Sequence, residues 1–180
     1  MRIIAGKHKG LILKNFDLIT TRPTSDLIRG AIFNTIFEKI NDSVFLDLFA
    51  GTGAVGLEAL SRNAKFCYFA DSNEQSVKLI KKNAEKFELN TFKILKMEFQ
   101  DALHYLFKQK IMFDIIFLDP PYQSNLAEES IKKIKKYDLL NQNGIIVWEH
   151  SFDKLKYVIS NFENAKTKKY GQKYVSYFNI

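Results

Sequence analysis

The run FLDPPY, residues 117–122, closes an apolar stretch with an acid, two prolines and a tyrosine. This corner is rich in hydrogen-bond acceptors and poor in donors. An ionised Asp119 only accepts, and Pro120 and Pro121 offer carbonyls without N–H groups. Its complement is a group that only donates, such as the exocyclic NH2 of adenine, cytosine or guanine. Tyr122 adds a flat face on which a base can stack, a contact worth about 1–3 kcal/mol per base. The prolines stiffen the loop, so little ordering entropy remains to be lost on binding. A ring amine is a poor nucleophile because its lone pair is delocalised. Hydrogen bonds from its two N–H groups to the Asp119 carboxylate and the Pro120 carbonyl would turn the nitrogen toward tetrahedral geometry and aim the lone pair at an electrophile. Catalysis of that kind is positioning and electrostatics. The bland alternative is a turn that merely ends a strand.

A second stretch, DLFAGTGAVG (47–56), places Gly51, Gly53 and Gly56 in a GxGxxG pattern between a strand-like run and a helix-like one. Such glycines let the backbone turn tightly and approach a ligand closely. Asp71 ends the next apolar run, where a carboxylate can accept the hydroxyls of a ribose. An adenosine-containing cofactor is expected. A pyrophosphate would sit at the helix N-terminus, but Asp47 just before the loop would repel it and would welcome a cation. That points to S-adenosylmethionine, with its ammonium and sulfonium, rather than NAD. The alternative is a plain strand–helix turn with an accidental acid.

These residues need a scaffold that brings strand ends together. From residue 44 the chain reads VFLDLF, FCYFA, FKILK, FDIIFL and GIIVWEH as strands, alternating with helix-like runs. That pattern predicts a largely parallel sheet with helices on both faces. KTKKYGQKYVSYF reads as a closing antiparallel hairpin. Near the start, RIIAGKHKGLILK reads as a β-hairpin around a basic tip, and SDLIRGAIFNTIFEKI as one amphipathic helix with Ser25 as a possible cap. The expected organisation is an N-terminal hairpin and helix over 1–41 joined to a methyltransferase-like unit over 42–180.

The 180 residues carry a formal net charge of +7, which favours an anionic partner such as nucleic acid. Arg2, Lys7, Lys9, Lys14 and Arg22 cluster in the chain and are expected to meet phosphates without reading bases. The lysine run at 132–136 reads first as a solvated helix face. Cys67 is the only cysteine and lies in an apolar run, so a buried thiol and a reducing compartment are expected. His8, His104 and His150 lack metal-ligand spacing, so no metal is expected. The start MRIIAGKHKG has no long apolar stretch, which argues against a leader or a membrane span.

DPPY together with DLFAGTGAVGLEALSR resembles class I S-adenosylmethionine-dependent methyltransferases that act on exocyclic amines. RIIAGKHKG, TRPTSDLIRGAIFN, IVWEH and KYGQKYVSYF extend that resemblance, over nearly the whole chain, to the bacterial 16S rRNA (guanine-N2)-methyltransferase family. The resemblance implies a Rossmann-like, mostly parallel seven-stranded sheet and a cytoplasmic enzyme, here expected to be monomeric, that acts on the small ribosomal subunit or its assembly intermediate. It implies that Asp47, Gly51 and Gly53 hold the methionine part of the cofactor, with Phe49 also at the cofactor site. It puts Asp71 on the ribose, where the family usually has Glu. Asp101, followed by Ala102, fits the place that meets the adenine amine, with Glu98 a rival. Asp119, Pro120, Pro121 and Tyr122 would form the catalytic loop, and Arg22, Pro23 and Thr24 the loop beside it. Arg29 and Gly30 stand where the family prefers an acid and alanine; the expected cost is small, up to ~1 kcal/mol for a helix glycine. The competing functions are a DNA adenine-N6 methyltransferase, an NAD-dependent oxidoreductase and an inactive RNA-binding protein.

Overall fold

The computed structural model describes residues 1–16, 26–87, 91–121 and 124–180. Seven strands form one sheet in the order β3-β2-β1-β4-β5-β7-β6. These are β1 (Val44–Asp47), β2 (Phe66–Ala70), β3 (Phe92–Leu95), β4 (Phe113–Leu118), β5 (Leu140–His150), β6 (Lys166–Tyr170) and β7 (Lys173–Phe178). The first five run parallel, and the β6–β7 hairpin adds antiparallel to β5. The helices are α1 (Asp26–Thr35), α2 (Phe37–Ile40), α3 (Ala54–Ser61), α4 (Glu74–Ala84), α5 (Phe99–Lys108), α6 (Leu126–Lys136) and α7 (Leu155–Asn161).

The central strands are apolar on both sides because both faces are covered. Phe45, Phe69, Ile115, Phe117 and Val147 face one core with Phe33, Leu57 and Ile80. Their neighbours Leu46, Ile116, Leu118, Ile146 and Trp148 face the other with Leu103, Leu106, Ile131 and Ile134. This is the period-2 alternation of a strand buried twice. Cys67 is fully buried in the first core.

Several local expectations change. The amphipathic run after residue 25 is two helices, broken at Ile36 (φ −101°, ψ 17°). Just before the break, the Thr35 hydroxyl donates to the Ala31 carbonyl at 2.8 Å, a back-bond that weakens a helix end. Strand β5 starts four residues earlier than GIIVWEH suggests, because Leu140 already pairs with Phe113 across a register shift. Ser25 lies outside the described residues. The two N-terminal stretches form no named strands; they meet through one antiparallel bridge, Arg2↔Ile12, with Ile3 N–H donating to the Leu11 carbonyl at 3.0 Å.

What holds that N-terminal segment was not foreseen. Glu58 on α3 is fully buried and accepts from the Ile4 and Ala5 N–H groups at 2.8 and 3.0 Å. It also pairs with Arg62 at 2.8 Å and with Arg29 at 3.5 Å. Arg29, which with Gly30 reads in sequence as a departure of small cost, is completely buried. Its guanidinium also reaches Asp26 at 3.0 Å and the Arg2 carbonyl. The segment turns at Gly6 (φ +85°) so tightly against α3 that a Cβ there would lie 1.9 Å from the Ser61 carbonyl oxygen. Among the described residues, no helix is long and apolar enough to cross a membrane.

Candidate active site

Strand order reverses between β1 and β4, since β2 and β3 follow on one side and β5 on the other. Their carboxyl ends diverge there and leave a crevice, the usual ligand site of an open α/β sheet. A cavity of about 640 Å³ fills it. Its size suits a nucleoside-bearing ligand. Asp47 ends β1 and pairs in register with Phe117, so Asp119, two residues on, stands at the same rim. Asp47, Phe49, Gly51, Asp71, Asp119, Pro120 and Pro121 all line this one cavity.

Asp47 is 1% exposed and accepts the Gly56 N–H at 3.0 Å. Among the described residues no cation pairs with it. Burial pushes its carboxyl up to about 7, opposed by the Gly56 hydrogen bond and assisted by the charge of Asp71. Gly51 (φ +52°) turns a side without Cβ contacts toward open space, and its N–H donates to Asp71 Oδ2 at 2.8 Å. Asp71 Oδ1 takes the Asn73 N–H at 2.8 Å. Asp71 thus ties the glycine loop to the start of α4, and each oxygen keeps a lone pair for a ligand hydroxyl. Gly53 caps α3 (φ +76°) away from the cavity; a Cβ there would press on Ile80 at 3.1 Å.

The third strand contributes differently from the expectation. Glu98 lines the cavity, flanked by Met97 and Phe99. Asp101 is exposed on the first turn of α5, Ala102 is buried in the core, and neither lines the cavity. Phe99 and Phe49 pack with ring centroids 5.8 Å apart and form an apolar wall. Met97, Phe99, Asn15 and Phe16 are lining residues that motif reading missed. A stripe of apolar residues around the acid after β3 was the available signal for the first two.

The Pro121 carbonyl accepts from the Ser124 N–H at 3.2 Å and from its hydroxyl at 2.6 Å. Among the described residues no donor meets the Pro120 carbonyl, the acceptor assigned to the amine in the sequence. Tyr122, Arg22, Pro23 and Thr24 lie outside the described residues. Arg2 is exposed. Lys7 and Lys9 occupy the turn at Ser61, where the Lys7 N–H bonds to the Ser61 carbonyl. Ala54 lines the cavity and Ser61 ends the same helix. An eight-residue helix is about 12 Å long, so these two lysines stand a helix length from the site.

The chemistry of the cavity fits S-adenosylmethionine. A buried carboxyl with no counter-charge among the described residues suits a cation, the open side of Gly51 permits close approach, an acid sits at the end of β2, and aromatic walls and Glu98 suit a planar amine. Among the described residues, no group of His, Cys, Asp or Glu could hold a metal ion.

Residues 1–179 match the family described as Conserved hypothetical protein 95. YlbH of Bacillus subtilis, by name a candidate rRNA methyltransferase, is 38% identical over 83% of this chain and 82% of its own. Ribosomal RNA small subunit methyltransferase D of Haemophilus influenzae is 34% identical over 95% of this chain and 89% of its own. Among solved structures, yhhF of Escherichia coli, titled a candidate methyltransferase, superposes with a TM-score of 0.83 at 29% identity, covering 99% of this chain and 97% of that one.

Proposed function

The chain belongs to the Conserved hypothetical protein 95 family of class I S-adenosylmethionine-dependent methyltransferases, and from that premise we propose that it methylates the N2 amine of one unpaired guanine in 16S rRNA. The observation that carries this reading is the meeting of Asp47 and Asp119–Pro120 in one cavity, a cation site beside an acceptor-only corner. The rRNA substrate follows the names of its relatives and the net charge of +7.

Bound S-adenosylmethionine would supply an electrophilic methyl group. Asp47, Phe49 and Gly51 hold its methionine end, Asp71 its ribose, and Glu98 the adenine amine. Asp119 and the Pro120 carbonyl accept the two N–H bonds of the guanine amine and keep its lone pair aimed into the cavity. The carboxylate need not deprotonate the amine beforehand; it takes the surplus proton afterwards, because a protonated aromatic amine is a strong acid. Tyr122 covers the base face. A guanine inside a duplex cannot present both, so the target is looped out or extruded.

Small subunits from a strain lacking this protein, treated with the enzyme and digested to nucleosides, should yield N2-methylguanosine by mass spectrometry. N6-methyladenosine as the sole product, or transfer to duplex DNA in preference to subunits, overturns the reading in favour of a DNA adenine methyltransferase.

The two rival acids give a separate test. Glu98→Gln should weaken binding of S-adenosylhomocysteine roughly ten-fold or more, the worth of one hydrogen bond to a charged group. Asp101→Ala should leave it within about two-fold. Calorimetric titration reads both, and the opposite ranking returns the adenine contact to Asp101.

A further inference from the structure

The pairing of β5 with β7 ends at His150↔Tyr174, and β6 continues that rung at Tyr174↔Lys169. Directly opposed residues project to the same face of a sheet. The contacts follow the rung. The His150 and Tyr174 rings stack, with centroids 5.9 Å apart and planes at 18°. Lys169 Nζ lies 5.7 Å from the centre of the Tyr174 ring. Phe152, just past β5, extends the row with its centroid 5.9 Å from that of Tyr174, and it is 69% exposed. His150 beneath is buried, and its ring nitrogens meet the Ser151 carbonyl at 2.8 Å and the Ser176 hydroxyl at 2.7 Å. A lone exposed Phe is ordinary on a protein surface. One that caps a stacked row with a lysine over it is a surface of a particular kind.

Its position narrows the occupant. A narrow cleft lined by Pro120, Pro121, His150 and Ser151 joins the row directly to the DPPY loop. Lys154, at the end of the 3-10 turn that carries Phe152, binds Glu128 at 2.7 Å and Asn125 at 2.9 Å. The turn is thereby fixed to the start of α6, on the far side of that loop. The edge strand β6 supplies the exposed Lys169 on this face, whereas Lys166 and Lys168 oppose Tyr177 and Val175 and project to the other face. Lys168 donates to Thr35 at 3.0 Å, whereas Lys169 forms no ion pair among the described residues. The acid beside Phe152, Asp153, accepts the Ser151 hydroxyl. Aromatic faces beside an exposed lysine suit single-stranded nucleic acid, which stacks its bases and presents its phosphates.

We propose that Phe152, Tyr174 and Lys169 form a stacking platform for unpaired RNA next to the methylated base. A flanking base stacks on Phe152 and the adjoining phosphate meets Lys169. The inference rests on the rRNA reading above and names a surface that reading does not require.

Trp148 is the chain's only tryptophan and is 2% exposed, so a Phe152→Trp variant places a fluorescent reporter on the platform. A single-stranded 16S rRNA fragment should quench the introduced indole, and the same fragment in a duplex should not. Phe152→Ala should raise KM for small subunits roughly ten-fold with affinity for S-adenosylhomocysteine unchanged, and Phe152→Tyr should restore it. Lys169→Ala should reduce the dependence of RNA binding on salt. Methylation of subunits by the native protein without any quenching overturns the platform and leaves the enzyme reading intact. Quenching without rRNA methylation overturns the enzyme reading and supports the platform. A raised KM for assembled subunits with no quenching by RNA assigns this face to a ribosomal protein and overturns the proposal.

Discussion

Asp119→Ala should reduce methyl transfer by about 10³-fold, some 4 kcal/mol of barrier, while affinity for S-adenosylhomocysteine stays within about two-fold. The carboxylate stands at the rim shared by β1 and β4, across the crevice from the buried Asp47. Without it the amine keeps one fixed acceptor, the Pro120 carbonyl. It is then free to rotate its lone pair back into the ring, which removes a contribution of positioning rather than of binding. Asp119→Asn retains the shape and one acceptor oxygen but faces the amine with a second NH2, so an intermediate loss of about 10²-fold is expected. Single-turnover rates at saturating subunit concentration separate this from weak substrate binding. A variant that loses cofactor affinity in parallel with rate would place Asp119 in the donor site instead.

Asp47→Asn should act in opposite directions on binding and on stability. The folded protein holds a proton on Asp47 up to about pH 7, whereas the unfolded chain releases it near the ordinary 3.8. Folded-state protonation therefore exceeds that of the unfolded state between those values, and native stability falls as pH rises through the window. Above pH 7 the full penalty is present, on the order of 4 kcal/mol. Asparagine can still accept the Gly56 N–H and carries no charge, so the ligand-free variant should melt higher than the native protein at pH 8. That gain should shrink as pH falls below 7 and be gone near pH 4. The same change removes the charge that we propose receives the methionine ammonium, and S-adenosylmethionine should bind roughly 100-fold more weakly. In the native protein, binding should release a proton below pH 7 and weaken as pH falls, which calorimetry in buffers of different ionisation heat would detect. A variant that binds normally would show that Asp47 is buried for another reason.

The glycine loop, Asp47 and Asp119 were legible because each is announced by a short motif at a strand end, and strand ends converge in any sheet of this order. Which of Glu98 and Asp101 lines the cavity was not legible, because that turns on where α5 begins. The run DALHYLFK suggests a helix that starts at Asp101, whereas α5 starts at Phe99, with Glu98 as its extended N-cap residue (φ −62°, ψ 153°). Two residues of helix rotate an acid by about 200°, enough to move it from cavity to solvent. Lys7 and Lys9 read as part of a basic cluster for phosphates, and the sequence does not say how far from the cavity they stand. Their direction is set by Gly6 pressed on Ser61, a contact between residues far apart in sequence. The burial of Arg29 was unreadable for the same reason, since beside the local Asp26 its partners are a carboxylate on another helix and a backbone carbonyl.

Glu58 also imposes an order in time. The Glu58 carboxylate that holds Ile4 and Ala5 follows them by 54 and 53 residues in the chain. Until α3 has left the ribosome and folded, the N-terminal segment has no acceptor to dock on, and closing so long a loop is slow compared with local helix formation. The helix that receives it is the one whose first turn carries the glycine loop. Docking of this segment therefore waits on the helix that follows the glycine loop, and not on the strands that complete the sheet.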